Sequence, residues 1–155
     1  MPDLLVRLYD LPENTAKIKC QQEGVTIRLA IAPELHIVQD FVEKNFSKGW
    51  ASEATVGFAR SPVSVALAVE NREIVGFAVF DATYRAFFGP TGVLESHRGR
   101  GIGQALLIEA LEGLYKMGYG YGIIGSVGEA LGFYQKCLEV QTIEGSVPGV
   151  YKGML

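Results

Sequence analysis

The chain has 155 residues, enough to bury one ordinary core without covalent staples. Its composition, 48% hydrophobic and 20% charged, belongs to a globular domain rather than a disordered or fibrous chain. A net charge of -3 offers no polybasic surface, so neither nucleic acid nor an anionic membrane is expected as a partner. Leu4 to Leu11 alternates loosely and reads as a strand ended by Pro12-Glu13-Asn14. Val25-Thr26-Ile27-Arg28-Leu29 is short and rich in β-branched residues, a second strand. Pro33 and Glu34 suit a helix first turn, and Leu35, Val38, Phe41 and Val42 recur at helical spacing up to Gly49. Trp50 to Arg60 reads as a shorter helical segment, with an ambiguous pattern.

Val63 to Val69 and Ile74 to Phe80 are apolar runs joined by Glu70-Asn71-Arg72-Glu73, the pattern of an antiparallel hairpin. Arg85 to Val93 holds a further strand, with a bulge or bend predicted at Gly89-Pro90. The clearest helix follows: Leu107, Ala110, Leu111 and Leu114 share a face, and Gly118 ends it. Tyr121 to Val127 reads as a buried parallel strand reached through that helix. Gly128 to Leu138 reads as a helix, and Val140–Ile143 with Val150–Met154 as a terminal pair of strands. The result is one mixed sheet covered by helices.

Cys20 and Cys137 form no CxxC pair, and only His36 and His97 accompany them, so no disulfide framework and no metal site are expected. Met1 to Leu5 lacks a basic region before an apolar core, and no apolar run has the length of a membrane span. A cytoplasmic location is the corresponding expectation.

The chemistry concentrates between the strand that ends at Val93 and the strongest helix. In Arg98-Gly99-Arg100-Gly101-Ile102-Gly103, three glycines at every second position let the backbone turn tightly and approach a ligand. The helix start supplies unpaired N–H groups, and Arg98 and Arg100 add two cations, a good arrangement for phosphate or pyrophosphate. A nucleoside-triphosphate loop is disfavoured because no Gly-Lys-Ser/Thr follows, and a Rossmann turn because the spacing is Gly-x-Gly-x-Gly after a hairpin.

Arg98 to Gly103 resembles the signature Arg/Gln-x-x-Gly-x-Gly/Ala of the GNAT superfamily of N-acetyltransferases. Ala130-Leu131-Gly132-Phe133-Tyr134-Gln135-Lys136 is similar to that family's Ala-x-x-Phe-Tyr-x-Lys helix, and the hairpin at Ile74-Val75-Gly76-Phe77 and the opening Val25-Thr26-Ile27-Arg28 match its layout. The resemblance covers residues 25–155 and leaves 1–24 as an N-terminal extension packed on the domain.

What this implies is an α/β (α+β) fold with a mixed, mostly antiparallel sheet whose fourth and fifth strands splay apart. Acetyl-CoA would serve as acyl donor, its pantetheine arm along Thr91, Gly92 and Val93 and its pyrophosphate on the N–H groups of Gly99, Arg100, Gly101, Ile102, Gly103 and Gln104, near Arg98. A backbone N–H near Val93 would polarise the thioester carbonyl. By the resemblance Tyr134 would protonate the leaving thiolate, whereas position alone favours core packing beside Phe133. The general base is open among Asp81, Glu95, His97, Glu129 and water. The resemblance implies direct transfer to an amine, and the modest charge favours a small molecule over a long polypeptide. Trp50, Phe58, Tyr84, Phe87 and Phe88 are pocket candidates as much as core ones. Val127 departs from an asparagine common in the family, Glu95 from a proline, and Cys137-Leu138-Glu139 from Leu-Gly-Phe. A non-catalytic acyl-CoA sensor, or an interaction module pairing with a second copy as a homodimer, is the rival reading.

Overall fold

A computed structural model describes residues 1–155. Its strands are β1 (Leu4–Arg7), β2 (Thr26–Leu29), β3 (Val65–Glu70), β4 (Glu73–Phe80), β5 (Phe87–Val93), β6 (Tyr121–Ile124) and β7 (Val140–Thr142). Its helices are α1 (Thr15–Gln22), α2 (Leu35–Asn45), α3 (Lys48–Phe58), α4 (Ile102–Lys116) and α5 (Leu131–Cys137). The seven strands make one sheet in the order β2-β3-β4-β5-β6-β1-β7. Every neighbouring pair is antiparallel except β5 and β6, which α4 connects in parallel. No helix is long and apolar enough to cross a membrane.

β3 and β4 are apolar without interruption because both faces of the sheet are covered. Ala66 and Ala68 point to one side, into a core of 24 buried residues built around α4. Val65 and Leu67 point to the other, where α2 and α3 close a smaller core of ten. Alternation along a strand thus divides two hydrophobic cores between two helical layers.

Several expectations need correction. α1 was not legible as a helix, because its only buried residue is Cys20. It is held from outside its own sequence pattern: Asn14 caps it by accepting from Lys17 N–H, and the same side chain donates to the Ala105 carbonyl of α4 at 3.0 Å. Lys17 then pairs with Glu109 at 2.8 Å. The helix expected to run to Gly49 ends at Asn45 with Phe46 as its C-cap, and Gly49 lies in the first turn of α3, which Ser47 caps by accepting from Trp50 N–H. Val150–Met154 is no strand; it is a turn with a short 3-10 segment at Gly149–Tyr151. The partner of β7 is instead β1, with Leu4 opposite Thr142. Residues 1–24 therefore supply an inner strand and a helix on α4, and the sheet shows no break at residue 24.

α4 is buried on more than the single stripe visible in sequence, since Ile102, Ala105, Leu106, Leu107, Ile108, Leu111 and Leu114 are all essentially inaccessible. Such packing tolerates no extra atom at Gly113, where an added Cβ would lie 2.5 Å from the ring of the fully buried Phe80. Gly113→Ala is therefore expected to destabilise by about 1–3 kcal/mol despite the better helix propensity of alanine. Gly132→Ala, in open space on α5, is expected to be neutral or to stabilise by up to about 1 kcal/mol. Urea denaturation checks both, and a Gly113→Ala midpoint at or above that of the natural chain would contradict the packing.

Candidate functional site

The site begins where two strands part. β5 and β6 pair only at Phe87 with Ile123 and Phe88 with Ile124, after which β6 has ended and β5 continues to Val93. Along β4 the ladder is intact: Gly76 faces Val93, Phe77 faces Gly92, and Leu94 N–H donates to the Val75 carbonyl at 2.9 Å. Antiparallel alternation then turns the N–H and C=O of Thr91 and Val93 away from β4, toward the gap that β6 vacates. At about 3.3 Å per residue, Gly89 to Val93 offers an open edge on the order of 13 Å long. The bend expected at Gly89-Pro90 is present: the β4–β5 register shifts between Ala78 and Phe80, and Gly89 has φ +114°. The splayed pair expected from the sequence is thus a feature of the fold.

The gap ends at the glycine loop. Gly99 (φ +79°) and Gly101 (φ +80°) are both left-handed, a conformation that L side chains rarely adopt. Gly101 is the N-cap of α4 and carries no side-chain cap; the first helical bond is Ala105 N–H to the Gly101 carbonyl. The N–H groups of Ile102, Gly103 and Gln104 therefore have no partner inside the helix, and they carry the positive end of a helix of 15 residues. Gly103 sits between neighbours: an added Cβ would be 3.6 Å from Phe133 of α5 and 3.9 Å from Val93. Loop, strand edge and α5 meet at that point.

The two arginines divide. Arg98 is exposed and makes no ion pair, leaving its charge available at the loop. Arg100 donates to Glu70 Oε2 at 2.8 Å, and His97 Nε2 lies 3.0 Å from Glu70 Oε1. These two partners, Arg100 first, hold the Glu70 carboxyl below its ordinary range. Arg100 and His97 thus pin the loop to the end of β3.

Tyr134 lies on the inner face of α5, its ring edge-on to Phe88 at 6.3 Å, beside the last paired residue of β5. The ring is buried, yet the hydroxyl has no protein partner and is not sealed off, so it reaches open space. Burial, reinforced by Cys137, pushes the phenol up to about 12. The Cys137 and Cys20 thiols are themselves raised by burial, which makes both poor nucleophiles and leaves them as packing. Val127 is buried too, a packing residue.

The carboxylates foreseen as bases are placed elsewhere. Asp81 is buried and organises the β4–β5 turn, accepting from Ala86 N–H at 2.8 Å and from Arg85 at 2.9 Å, with Arg60 nearby. Glu95 and Glu129 are exposed, and His97 is held by Glu70. Sequence reasoning missed Glu53. At the far end of the gap a cavity of about 880 Å³ is lined by Trp50 and Glu53 of α3, by Phe88 to Pro90, by Gly125-Ser126 after β6, and by the terminal segment. Trp50 and Glu53 stand one helical turn apart within the segment read as helical, a spacing that marks a shared face but not what that face meets. Of the other aromatic candidates, Tyr84 and Phe88 also line the cavity, while Phe58 packs on the smaller core and Phe87 is buried. Nowhere do three His, Cys, Asp or Glu side chains converge as metal ligands would.

A sequence model of the acetyltransferase (GNAT) domain matches residues 61–137, about half of the chain. No curated protein sequence matches significantly. Among solved structures, the chain is similar to a GCN5-related glucosamine N-acetyltransferase region of a fungal multi-domain GH3 β-N-acetylglucosaminidase, at 19% identity over 92% of this chain and 19% of that one, TM-score 0.70. It is similar to a GCN5-related N-acetyltransferase from Sphaerobacter thermophilus at 23% identity over 91% of this chain and 48% of the other, TM-score 0.69. A GNAT family acetyltransferase from Brucella melitensis, solved in complex with acetyl-CoA, aligns at 21% identity over 70% and 80% of the two chains, TM-score 0.51. The chain spans about a fifth of the first relative and about half of the second. At these identities the structures speak for the fold alone; the match to the acetyltransferase (GNAT) domain over residues 61–137 is what assigns this half of the chain to the GNAT superfamily.

Proposed function

We propose that the chain transfers the acetyl group of acetyl-CoA directly to a primary amine of a small molecule. The observation that carries this reading is the open edge of β5 running from the cavity to an uncapped helix N-terminus. An extended amide-bearing arm pairs with such an edge as an added strand, and a pyrophosphate suits the N–H groups of Gly99 to Gln104 with Arg98 beside them. The Brucella relative, which holds acetyl-CoA on the same fold, supports the choice of ligand.

The chain's own groups then divide the work. The N–H of Thr91 and Val93 hold the arm, and the one nearest the thioester stabilises charge growing on its oxygen. Tyr134 donates to the departing sulfur. A phenol at about 12 is a weak acid, but a thiolate released into the same desolvated cleft is made more basic by the same burial, so donor and acceptor rise together. Holding the amine in line with the thioester supplies a further large part of the rate.

Two measurements test this. Titration calorimetry with acetyl-CoA is expected to show binding by the natural chain, weakening of about tenfold in Arg98→Ala, and none in Gly101→Glu, whose side chain is strained at φ +80° and repels phosphate. Equal binding by all three would remove the loop from the coenzyme site. For Tyr134→Phe, turnover is expected to fall about 100-fold or more with acetyl-CoA affinity retained. Because the folded phenol stands at about 12 against an ordinary 10.0, its stabilising share is complete below pH 10.0 and is lost as pH rises through about 12. Tyrosinate absorbance and denaturation across that window are expected to lose this late step in Tyr134→Phe; an unchanged profile would show the phenol to be solvated.

A further inference from the structure

The cavity at the far end of the β5 edge is built for more than any amine. Glu53 is half-buried, accepts one hydrogen bond from the Thr83 hydroxyl, and has no cation within ion-pair distance. A half-buried carboxylate left without a counter-charge at the wall of a cavity suits a cationic group there. The second carboxylate, Asp3, is already engaged: it is buried and accepts from Ser126 N–H at 3.2 Å, tying β1 to the end of β6. Both charges reach Tyr151, whose phenol is raised by burial first and then by Glu53 and Asp3.

The rim is of another character. Trp50, Tyr84, Val147 and Met154 are all exposed large apolar side chains, and all four border this one cavity. Isolated exposed apolar residues need no explanation, but four of them bordering a cavity whose carboxylates have no counter-charge do. The only side-chain cation on the lining is Lys152, which is exposed and would oppose a second positive group at the outer end.

Resting on the acetyl-transfer reading, we infer that the acceptor is a singly charged primary amine on an aromatic or branched apolar body, and that Glu53 receives its ammonium and takes its proton. The apolar body lies against Trp50 and Tyr84, where burial and cation–π attraction act together. Two protons leave nitrogen in the reaction. Glu53 passes one to solvent, freeing the lone pair to form the C–N bond as the C–S bond breaks. The other replaces the proton that Tyr134 gives to the departing sulfur.

The test is a comparison of kcat/KM for 2-phenylethylamine, 3-methylbutylamine, spermidine and a short peptide with a free N-terminus, using the full chain, acetyl-CoA and thiol release. The two apolar amines are expected to exceed spermidine and the peptide by about tenfold or more. Glu53→Gln is expected to lower kcat/KM for 2-phenylethylamine about 10- to 100-fold while calorimetric acetyl-CoA affinity and the circular dichroism spectrum stay as they were. Thr83→Val, which frees the Glu53 carboxylate without removing it, is expected to give a smaller loss. Tyr84→Ala is expected to raise KM for 2-phenylethylamine but not for ethylamine. Preference for spermidine or the peptide, or an unchanged Glu53→Gln, overturns the inference and leaves acetyl transfer intact. Should acetyl-CoA fail to bind, the transfer reading falls, and calorimetric binding of 2-phenylethylamine to the natural chain but not to Glu53→Gln still decides the role of Glu53.

Discussion

A strand that stops pairing halfway along its length must still satisfy its backbone, and the geometry of this protein follows from that constraint at β5. Phe87 and Phe88 pair with β6; Thr91 and Val93 do not. In a sheet otherwise closed on both faces, this leaves a short row of donors and acceptors that water or an extended ligand must meet. Phe88 and Tyr134 meet edge to face at the fork, so the strands part around a packed aromatic pair. Tyr134 is thereby held by the same packing that opens the groove.

The opening also needs something to keep β6 in place, and the chain begins with it. β1 lies between β6 and β7, with Leu4 opposite Ile124 on one side and Thr142 on the other. Leu4, Val6 and Leu8 are buried in the α4 core, and Asp3 reaches Ser126 just beyond β6. The far half of the sheet is thus anchored through the first residues of the sequence rather than through its thin pairing with β5. α1 performs a matching service for α4, since Asn14 and Lys17 bind Ala105 and Glu109 and cover the back of the helix whose start forms the glycine loop.

What could be read in the sequence is what local chemistry dictates. The hairpin, α4 and the glycine loop were legible because period, β-branched runs and glycine spacing each carry their own physical reason. α1 was not, since a helix with one buried residue has no stripe to display and depends on partners about 90 residues away in sequence (|i−j| of 91 and 92). Val150–Met154 has strand composition yet forms a turn and a short 3-10 segment along the cavity, and the strand beside β7 comes from the start of the chain. At the site, the loop and Tyr134 announced themselves by motif. The pairing of Arg100 with Glu70 and the isolation of Glu53 are tertiary facts, set by which side chains the β3–β4 turn and the β4–β5 turn bring near, and no spacing along the chain encodes them.

One column of rings joins the open edge of β5 to the cavity beside α3. Gly92 lacks a side chain at a point where an added Cβ would meet the Phe46 ring at 2.4 Å. Phe46 in turn stacks on Trp50, centroids 5.5 Å apart and planes at 23°, and both lean on Phe77 of β4. The open edge of β5 is therefore braced from behind by the same stack whose outermost ring forms a wall of the cavity. Close-packed rings do not yield one at a time. Trimming Trp50 to enlarge the cavity would leave Phe46 without its partner and loosen the support under Gly92, so the cavity wall and the open strand edge are mechanically one.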